Sequence, residues 1–316
     1  MRTAIIILNW NGADDTIACL RSLEKAQGSF FVVIADNGSA DDSVFRIKEY
    51  AAGSGLDIRI LELGHNYGFA GGNNRAVKYA MNSSPDSYLL LNNDTEVTPG
   101  FLVRLEEFRK SHSRYQVLTP RINYYYDKER IWNCGGVLRF GFRRYRYAGA
   151  HQDKVLNKKP FRIGFVTGCA LYFTPQVIYD GFTPFTDRFF FGEEDFEFSL
   201  RMKRRGVRMA CVTDSVIYHK VSAAGDAMVR SGKVYLHLLN RYVDIRSQYG
   251  GLFFLIWRAV SLHSTKQSLR KAFGPAVAKD IYKNLIRDVK GRNSVTEDDF
   301  NRLVIEDSYW NNVKES

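Results

Sequence analysis

The chain has 316 residues, 45% of them apolar and 14% aromatic, with a formal net charge of +11. That length exceeds one minimal domain without demanding two, the apolar content suffices for a large core, and the cationic balance favours acidic partners: nucleotides, lipid head groups or nucleic acid. Cys19, Cys134, Cys169 and Cys211 lack CxxC spacing, which argues against a zinc site, and no apolar stretch reaches the roughly 18–20 residues of a bilayer span.

Residues 1–9 read as a first strand rather than a signal peptide, because the apolar run is too short for an h-region and no small-residue cleavage site follows. The expected location is therefore the cytoplasm. The strand at 4–8 leads to a helix capped by Asp14 or Asp15, with Ile17, Leu20 and Leu23 inward. A second strand, 30–35, precedes a helix started by Ser39 and Asp41, and 58–61 is a third strand. Gly71-Gly72 opens a helix to Met81, 88–91 is a fourth strand, and Pro99 opens a further helix to about Lys110. Strands alternating with amphipathic helices predict an α/β fold with a mostly parallel sheet covered on both faces. Ligands of such sheets bind beyond the carboxyl ends of the strands, where Asn9-Trp10-Asn11, Asp36-Asn37 and Asn92-Asn93-Asp94 should converge.

Residues 121–165 mix aromatics with arginines and read as a hairpin or loops. The apolar segment 162–173 reads as a strand, with Gly168 where something approaches the backbone closely. Segments 207–211 and 216–218 are short strands ending at His219, and from Asp226 onward the pattern is helical and basic.

Asp36 before Asn-Gly-Ser is either turn chemistry or a carboxylate that accepts from a nucleobase N–H. In the run 65–75, Gly71, Gly72 and Asn73 stand before a helix whose N-terminal N–H groups suit phosphate oxygens, and Arg75 could add a charge-assisted contact. Asp94 follows an apolar strand; Thr95 to Pro99 suit a helix entry, which would leave its carboxylate at the sheet edge for a divalent cation, Mg²⁺ or Mn²⁺. His219 is a second candidate ligand. Glu193-Glu194-Asp195-Phe196-Glu197 follows an aromatic run; a helix N-terminus favours one or two such acids, and Asp195 is the best candidate for a general base, with Glu194 the neighbouring alternative.

These motifs, taken in order over roughly residues 3–222, resemble a family-2 inverting glycosyltransferase of GT-A fold, closest to the rhamnosyltransferase-like branch. The resemblance implies a Rossmann-like domain over 1–222, divided at 120 into nucleotide-binding and acceptor-binding halves, with a C-terminal helical region over 223–316. It implies transfer of a sugar, rhamnose being one candidate, from a UDP- or dTDP-linked donor to a saccharide or lipid-linked saccharide in cell-surface polysaccharide assembly. Asn9, Trp10 and Asn11 match the nucleoside pocket wall and Asp36 the base-binding aspartate. Asn92 replaces the first acid of the Asp-x-Asp metal motif, Asn93 follows it, and Asp94 matches the last acid, which lowers the charge available to the metal. His219 matches a histidine that completes the metal site in some members, Glu194-Asp195 match the pair that carries the base, and Gly168 and Trp132 fall on the acceptor side.

The segment 251–260 is apolar with a basic flank at Lys266, Arg270 and Lys271. It reads equally as a core or homodimer helix and as an interfacial segment on anionic lipid at the inner face of the plasma membrane. Two other classes compete with the transferase reading. A sugar-phosphate nucleotidyltransferase would need a glycine-rich turn with a downstream Lys after the first strand, which is missing. A basic nucleic-acid-binding protein would carry one of the usual motifs, and its phosphates would meet the acidic pair.

Overall fold

The computed structural model describes residues 1–178, 183–221 and 227–305. They fall into two compact units, Met1–Thr186 with Glu194–Ser222, and Asp187–Glu193 with Ala223–Ser316.

The first unit opens with β1 (Thr3–Asn9), α1 (Ala13–Leu23), β2 (Phe30–Asp36), α2 (Ser43–Gly53), β3 (Ile58–Glu62), α3 (Gly68–Met81) and β4 (Ser87–Asn92). The four strands run parallel in the order β4-β1-β2-β3. Ala4 and Ile6 join one buried cluster with Ala76 and Val77 of α3, while Ile5 and Ile7 join another with Leu20 of α1. Both faces of β1 are covered, and its sequence is therefore apolar without alternation.

Then come β5 (Thr95–Val97), α4 (Phe101–Ser111), β6 (Tyr115–Tyr124), β7 (Ile131–Asn133), β8 (Gly136–Arg139), β9 (Phe142–Tyr145), β10 (Phe161–Ile163), β11 (Ala170–Phe173), α5 (Glu194–Arg204) and β12 (Arg208–His219). The sheet continues past β4 as β11-β6-β12-β10, with β5 beside β12 and β7 beside β6. Because β11 is antiparallel to both β4 and β6, the sheet is mixed.

Several local expectations change. Thr95 to Val97 do not enter a helix: they pair antiparallel with β12, Thr95 opposite His219, and α4 starts only at Phe101. The segments 207–211 and 216–218 are one strand whose register slips between Val212 and Val216, beside Pro120 on β6. Proline has no N–H to give the ladder, so the slip falls where one ladder bond is already missing. The stretch 162–173 is two strands with different partners, β10 on β12 and β11 between β4 and β6. Within 121–165, of the two readings, the hairpin holds for β8 and β9. Helix α2 begins at Ser43 rather than at Ser39, because the N–H and hydroxyl of Ser39 are both donated to Asp36.

The second unit contains α6 (Ala227–Tyr249), α7 (Gly251–Phe273), α8 (Pro275–Val289) and α9 (Glu297–Phe300). Gly250 and Gly274 take φ of 74° and 82°, left-handed values that end one helix and let the next begin. Tyr235, Leu239 and Tyr242 of α6, Trp257 of α7 and Ile281 and Leu285 of α8 are buried. The segment 187–193 belongs to this unit: Phe191 C=O accepts from Asn240 Nδ2 at 2.7 Å, and buried Glu193 pairs with Arg241. The acidic run is thus divided between the two units. Glu193 is tied to α6, whereas Glu194 and Asp195 open α5.

Candidate active site

The strand order places β1 between β2 and β4: the crossovers from β1 to β2 and from β2 to β3 run one way, and the crossover from β3 to β4 returns past β1, so the carboxyl ends of these strands flank a topological switch point. Asn9 and Asp36 occupy paired register positions there. Asp36, 3% exposed, accepts from Asn9 Nδ2 at 2.8 Å, Ser39 Oγ at 2.6 Å and Ser39 N–H at 2.9 Å. The chain of bonds extends across the sheet edge: Asn93 Nδ2 donates to Thr16 Oγ1 at 3.2 Å, and Thr16 donates to Asn9 Oδ1 at 2.7 Å. Asn11, in the left-handed region at φ 49°, donates its N–H to Ser39 Oγ and accepts from the N–H of Ala40. Trp10 beside it is 44% exposed. The arrangement is a fixed carboxylate next to an accessible indole.

Asn37, buried behind this corner, donates from Nδ2 to Asn66 Oδ1 and Gly68 C=O, while its Oδ1 accepts from Tyr67 N–H. It binds the loop after β2 to the loop before α3. Asn37 was expected at this edge and Ser39 as a helix start; their part in fixing the loops was not read from the sequence, although Asn-Gly-Ser as turn chemistry was the available signal.

The second cluster lies at the end of β4. The register of β5 on β12 brings His219 to Asp94, with Nε2 3.1 Å from Asp94 Oδ1. Neither that oxygen nor His219 Nδ1 makes a hydrogen bond among the described residues, and both are buried. Trp132 stands edge-on to His219, ring centroids 4.4 Å apart, so it packs the imidazole. Asp94 C=O accepts from Lys220 N–H, and Lys220 Nζ is 2.6 Å from Asp15; Lys220 carried no sequence signal beyond its charge. Among the described residues no three His, Cys, Asp or Glu side chains gather as a metal site. Nearby Cys19 offers no thiolate: burial pushes its thiol up to about 12, against the opposing hydrogen bond from Thr95, and the Asp94 charge adds to the rise. Burial likewise raises Cys169 well above the ordinary range.

The third group is the start of α5. Asp195, with 18% of its side chain exposed, lies 3.4 Å from Arg143 Nη1 on β9. Glu194 is more deeply buried, at 7%. Helix α5 is anchored by Ser199 Oγ, which accepts Val166 N–H at 3.1 Å, and Cys169 C=O accepts the N–H of Asn92 at 2.9 Å. The segment from Val166 to Cys169 therefore ties the helix of Asp195 to the strand end that precedes Asp94.

Other residues expected at the site make contacts within the protein. Gly71, Gly72 and Asn73 lie inside the first turns of α3, which starts at Gly68. A Cβ on Gly72 would come 2.6 Å from Leu8 Cδ1 and 3.1 Å from Asn37 Oδ1, so the close approach it permits is helix to strand. Asn73 donates to Phe69 C=O. Arg75 lies 3.5 Å over the Tyr67 ring and donates to Gly71 C=O. The space beside Gly168 is taken by the Phe69 ring, 3.0 Å from where a Cβ would stand. Asn92 contributes its backbone, its C=O accepting from Thr95 Oγ1.

Comparison with known proteins agrees with this frame. The profile of the glycosyl transferase family 2 matches residues 4–174. The low-salt glycan biosynthesis hexosyltransferase Agl10 of Haloferax volcanii is 25% identical over 250 residues, 77% of this chain and 75% of its own length. Among solved structures, S. aureus TarS 1-349 superposes with a TM-score of 0.59 at 14% identity, covering 97% of this chain and 82% of its own. The mannosyltransferase PcManGT of Pyrobaculum calidifontis, in complex with GDP-Man and Mn²⁺, superposes with a TM-score of 0.59 at 14% identity, covering 99% and 84%. Fold and neighbours define a GT-A-type architecture. The chain belongs to glycosyl transferase family 2, and the family together with the hexosyltransferase relative supports sugar transfer.

Proposed function

We propose that the protein is an inverting glycosyltransferase that moves a hexose or 6-deoxyhexose, rhamnose among the candidates, from a nucleoside-diphosphate sugar to a hydroxyl of a saccharide or lipid-linked saccharide during glycan assembly at the cell surface. The observation that carries this reading is the buried Asp94 oxygen, without a hydrogen bond and 3.1 Å from His219, at the carboxyl end of a parallel strand. A carboxylate and an imidazole suit Mn²⁺ better than Mg²⁺, which prefers an all-oxygen shell. Asp94 and His219 would hold the cation, and donor phosphate oxygens would fill the remaining positions. When bound, the ion would neutralise charge developing on the departing diphosphate.

The chain's own residues supply the other roles. Asp36, oriented by Asn9 and Ser39, accepts from the base of a uridine or thymidine diphosphate, while Trp10 and Asn11 wall the nucleoside. Asp195 takes the proton of the acceptor hydroxyl as that oxygen attacks the anomeric carbon. The carbon–oxygen bond to the diphosphate breaks on the opposite face, so the configuration inverts. Solved neighbours bound to GDP-Man and to UDP-GlcNAc support a nucleotide-sugar donor.

The test is a panel of UDP-, dTDP- and GDP-sugars scored for thermal stabilisation and donor turnover, with and without Mn²⁺. One donor class should stabilise the protein more strongly with Mn²⁺, and Asp94→Asn should abolish that increment. The variant should lose turnover by about a hundredfold or more, the effect of removing a main stabiliser of transition-state charge. Wild-type turnover by Asp94→Asn would remove the metal assignment, and no response to any sugar nucleotide would remove the donor.

A further inference from the structure

Helix α7 presents one face that its own unit leaves uncovered. Leu252 is 75% exposed, Leu255 51%, Ile256 52% and Val260 52%. Spaced at i, i+3, i+4 and i+8, they form a single stripe on a helix. Their exposure does not come from a detached helix. On the opposite face Phe254, Trp257, Ser261 and Leu269 are buried, Trp257 packs on Tyr242 with centroids 4.9 Å apart, and Tyr242 donates its hydroxyl to Ser261 Oγ.

Continuing along the same face for three more turns, the exposed residues become His263, Lys266, Gln267 and Arg270, with Lys271 at its margin. The 23-residue helix carries Arg258, Lys266, Arg270 and Lys271 and no Asp or Glu. Among the described residues no helix is long and apolar enough to cross a membrane. An apolar half followed by a cationic half on one exposed face suits an element that lies in an interface with its aliphatic side chains among acyl chains and its cations among phosphates. A second copy of this chain is a poorer occupant. A two-fold contact along the whole face would offer the cations of one helix no carboxylate on the other.

We infer that α7 is a docking face for a bilayer surface with anionic head groups. Leu252, Leu255, Ile256 and Val260 enter the acyl boundary, and Lys266, Arg270 and Lys271 contact lipid phosphates. An exposed aliphatic patch is thereby covered, and the enzyme is held at a surface that can present a lipid-linked acceptor. Binding to vesicles is read without a sugar donor, so its failure leaves the proposed transfer reaction untouched.

The experiment is co-sedimentation of the full chain with phosphatidylcholine vesicles, with and without phosphatidylglycerol, across a salt series. The wild type should bind the anionic vesicles and release as salt rises. Lys266→Glu/Arg270→Glu/Lys271→Glu should weaken binding on the order of a hundredfold or more, since each cation near such a surface contributes measurably. Leu255→Ser/Ile256→Ser should weaken it even at low salt while the unfolding temperature stays near wild type. Binding that neither variant changes would overturn the assignment of this face. So would an absence of vesicle binding, and a concentration-dependent dimer lost in Leu255→Ser/Ile256→Ser would then identify the face as an interface between copies.

Discussion

Asp36 and Asp195 carry the same functional group in opposite circumstances, and that difference suits the two roles proposed for them. Asp36 already accepts three hydrogen bonds from the protein, so its oxygens are directionally fixed, as recognition of a base edge requires. Asp195 sits at a helix start with one guanidinium contact at 3.4 Å, a looser hold that leaves an oxygen for an acceptor hydroxyl. Asp195→Asn keeps the shape and removes the proton acceptor. Its kcat should fall by about 10²–10⁴, the range of general-base contributions, with donor affinity kept. Calorimetry for the donor and steady-state rates for transfer measure both. If Asp195→Asn stays active and Glu194→Gln is dead, the base is Glu194. Full activity in both variants would leave the mechanism without a base among these acids.

Between β2 and α2, and again before α3, short loops rather than helices or strands hold the edge proposed for the donor. They meet at Gly38, whose φ is 75° and where a Cβ would stand 2.7 Å from the carbonyl carbon of His65 and 2.9 Å from Asn66 N. Those neighbours are backbone and cannot rotate away. Gly38→Ala would therefore combine left-handed strain with a forced separation of the two loops, together about 2–4 kcal/mol. Because Asn37 and Ser39 flank the glycine, Asp36 loses its orientation as the loops part, and the donor KM should rise well above any change in kcat. Thermal unfolding and donor titration check this; a variant with unchanged unfolding temperature and KM would show that the loops are not locked together. Gly71 and Gly72 of α3 belong to a different class, since their neighbours are the side chains of Leu8, Asn37, Tyr67 and Arg75.

Over the whole molecule, two units with separate cores respond differently to acid. In the second unit burial alone would raise Asp288 and Asp299, but hydrogen bonds outweigh it. Arg287 and Tyr235 hold Asp288 below the usual carboxylate range, and Arg292 and the Thr296 N–H do the same for Asp299. A depressed folded value means stability that is present above the unfolded value near 4 and is lost as pH falls through the folded one. In the first unit burial raises Glu106, against the Thr3 hydroxyl bond. Its ionised form therefore costs stability at neutral pH, a cost relieved as pH falls through the raised value. Glu24 and Asp41 are also lowered there, but both are exposed and screened. Amides of α6 to α9 should thus lose hydrogen-exchange protection at higher pH than those of β1 to β4. Asp299→Asn, which disrupts the capping box of α9, should cost about 1–2 kcal/mol at neutral pH and flatten the acid dependence. The opposite order of protection loss would refute this ranking.

Apolar patterning made the parallel half of the sheet legible, together with the edge at which its polar residues gather. Apolar runs too uniform for a one-sided sheet, separated by amphipathic helices, leave few ways to bury both faces of β1, β2 and β4, and the polar residues ending those runs must then emerge together. Asn9 and Asp36 were legible for that reason. What only the tertiary structure decided depends on pairing between segments far apart in the chain. Thr95 to Val97 became a strand because β12 offered an edge, and that register set His219 against Asp94. Glu193 and Glu194 fall in different units, Glu193 pairing with Arg241 of its own unit, and no local pattern separates two adjacent carboxylates in that way. Gly72 and Gly168 marked places of close approach, and the neighbours that come close are Leu8 and Phe69. A missing side chain announces that something comes close, but which neighbour comes close is fixed by packing, and local periodicity holds no information about it.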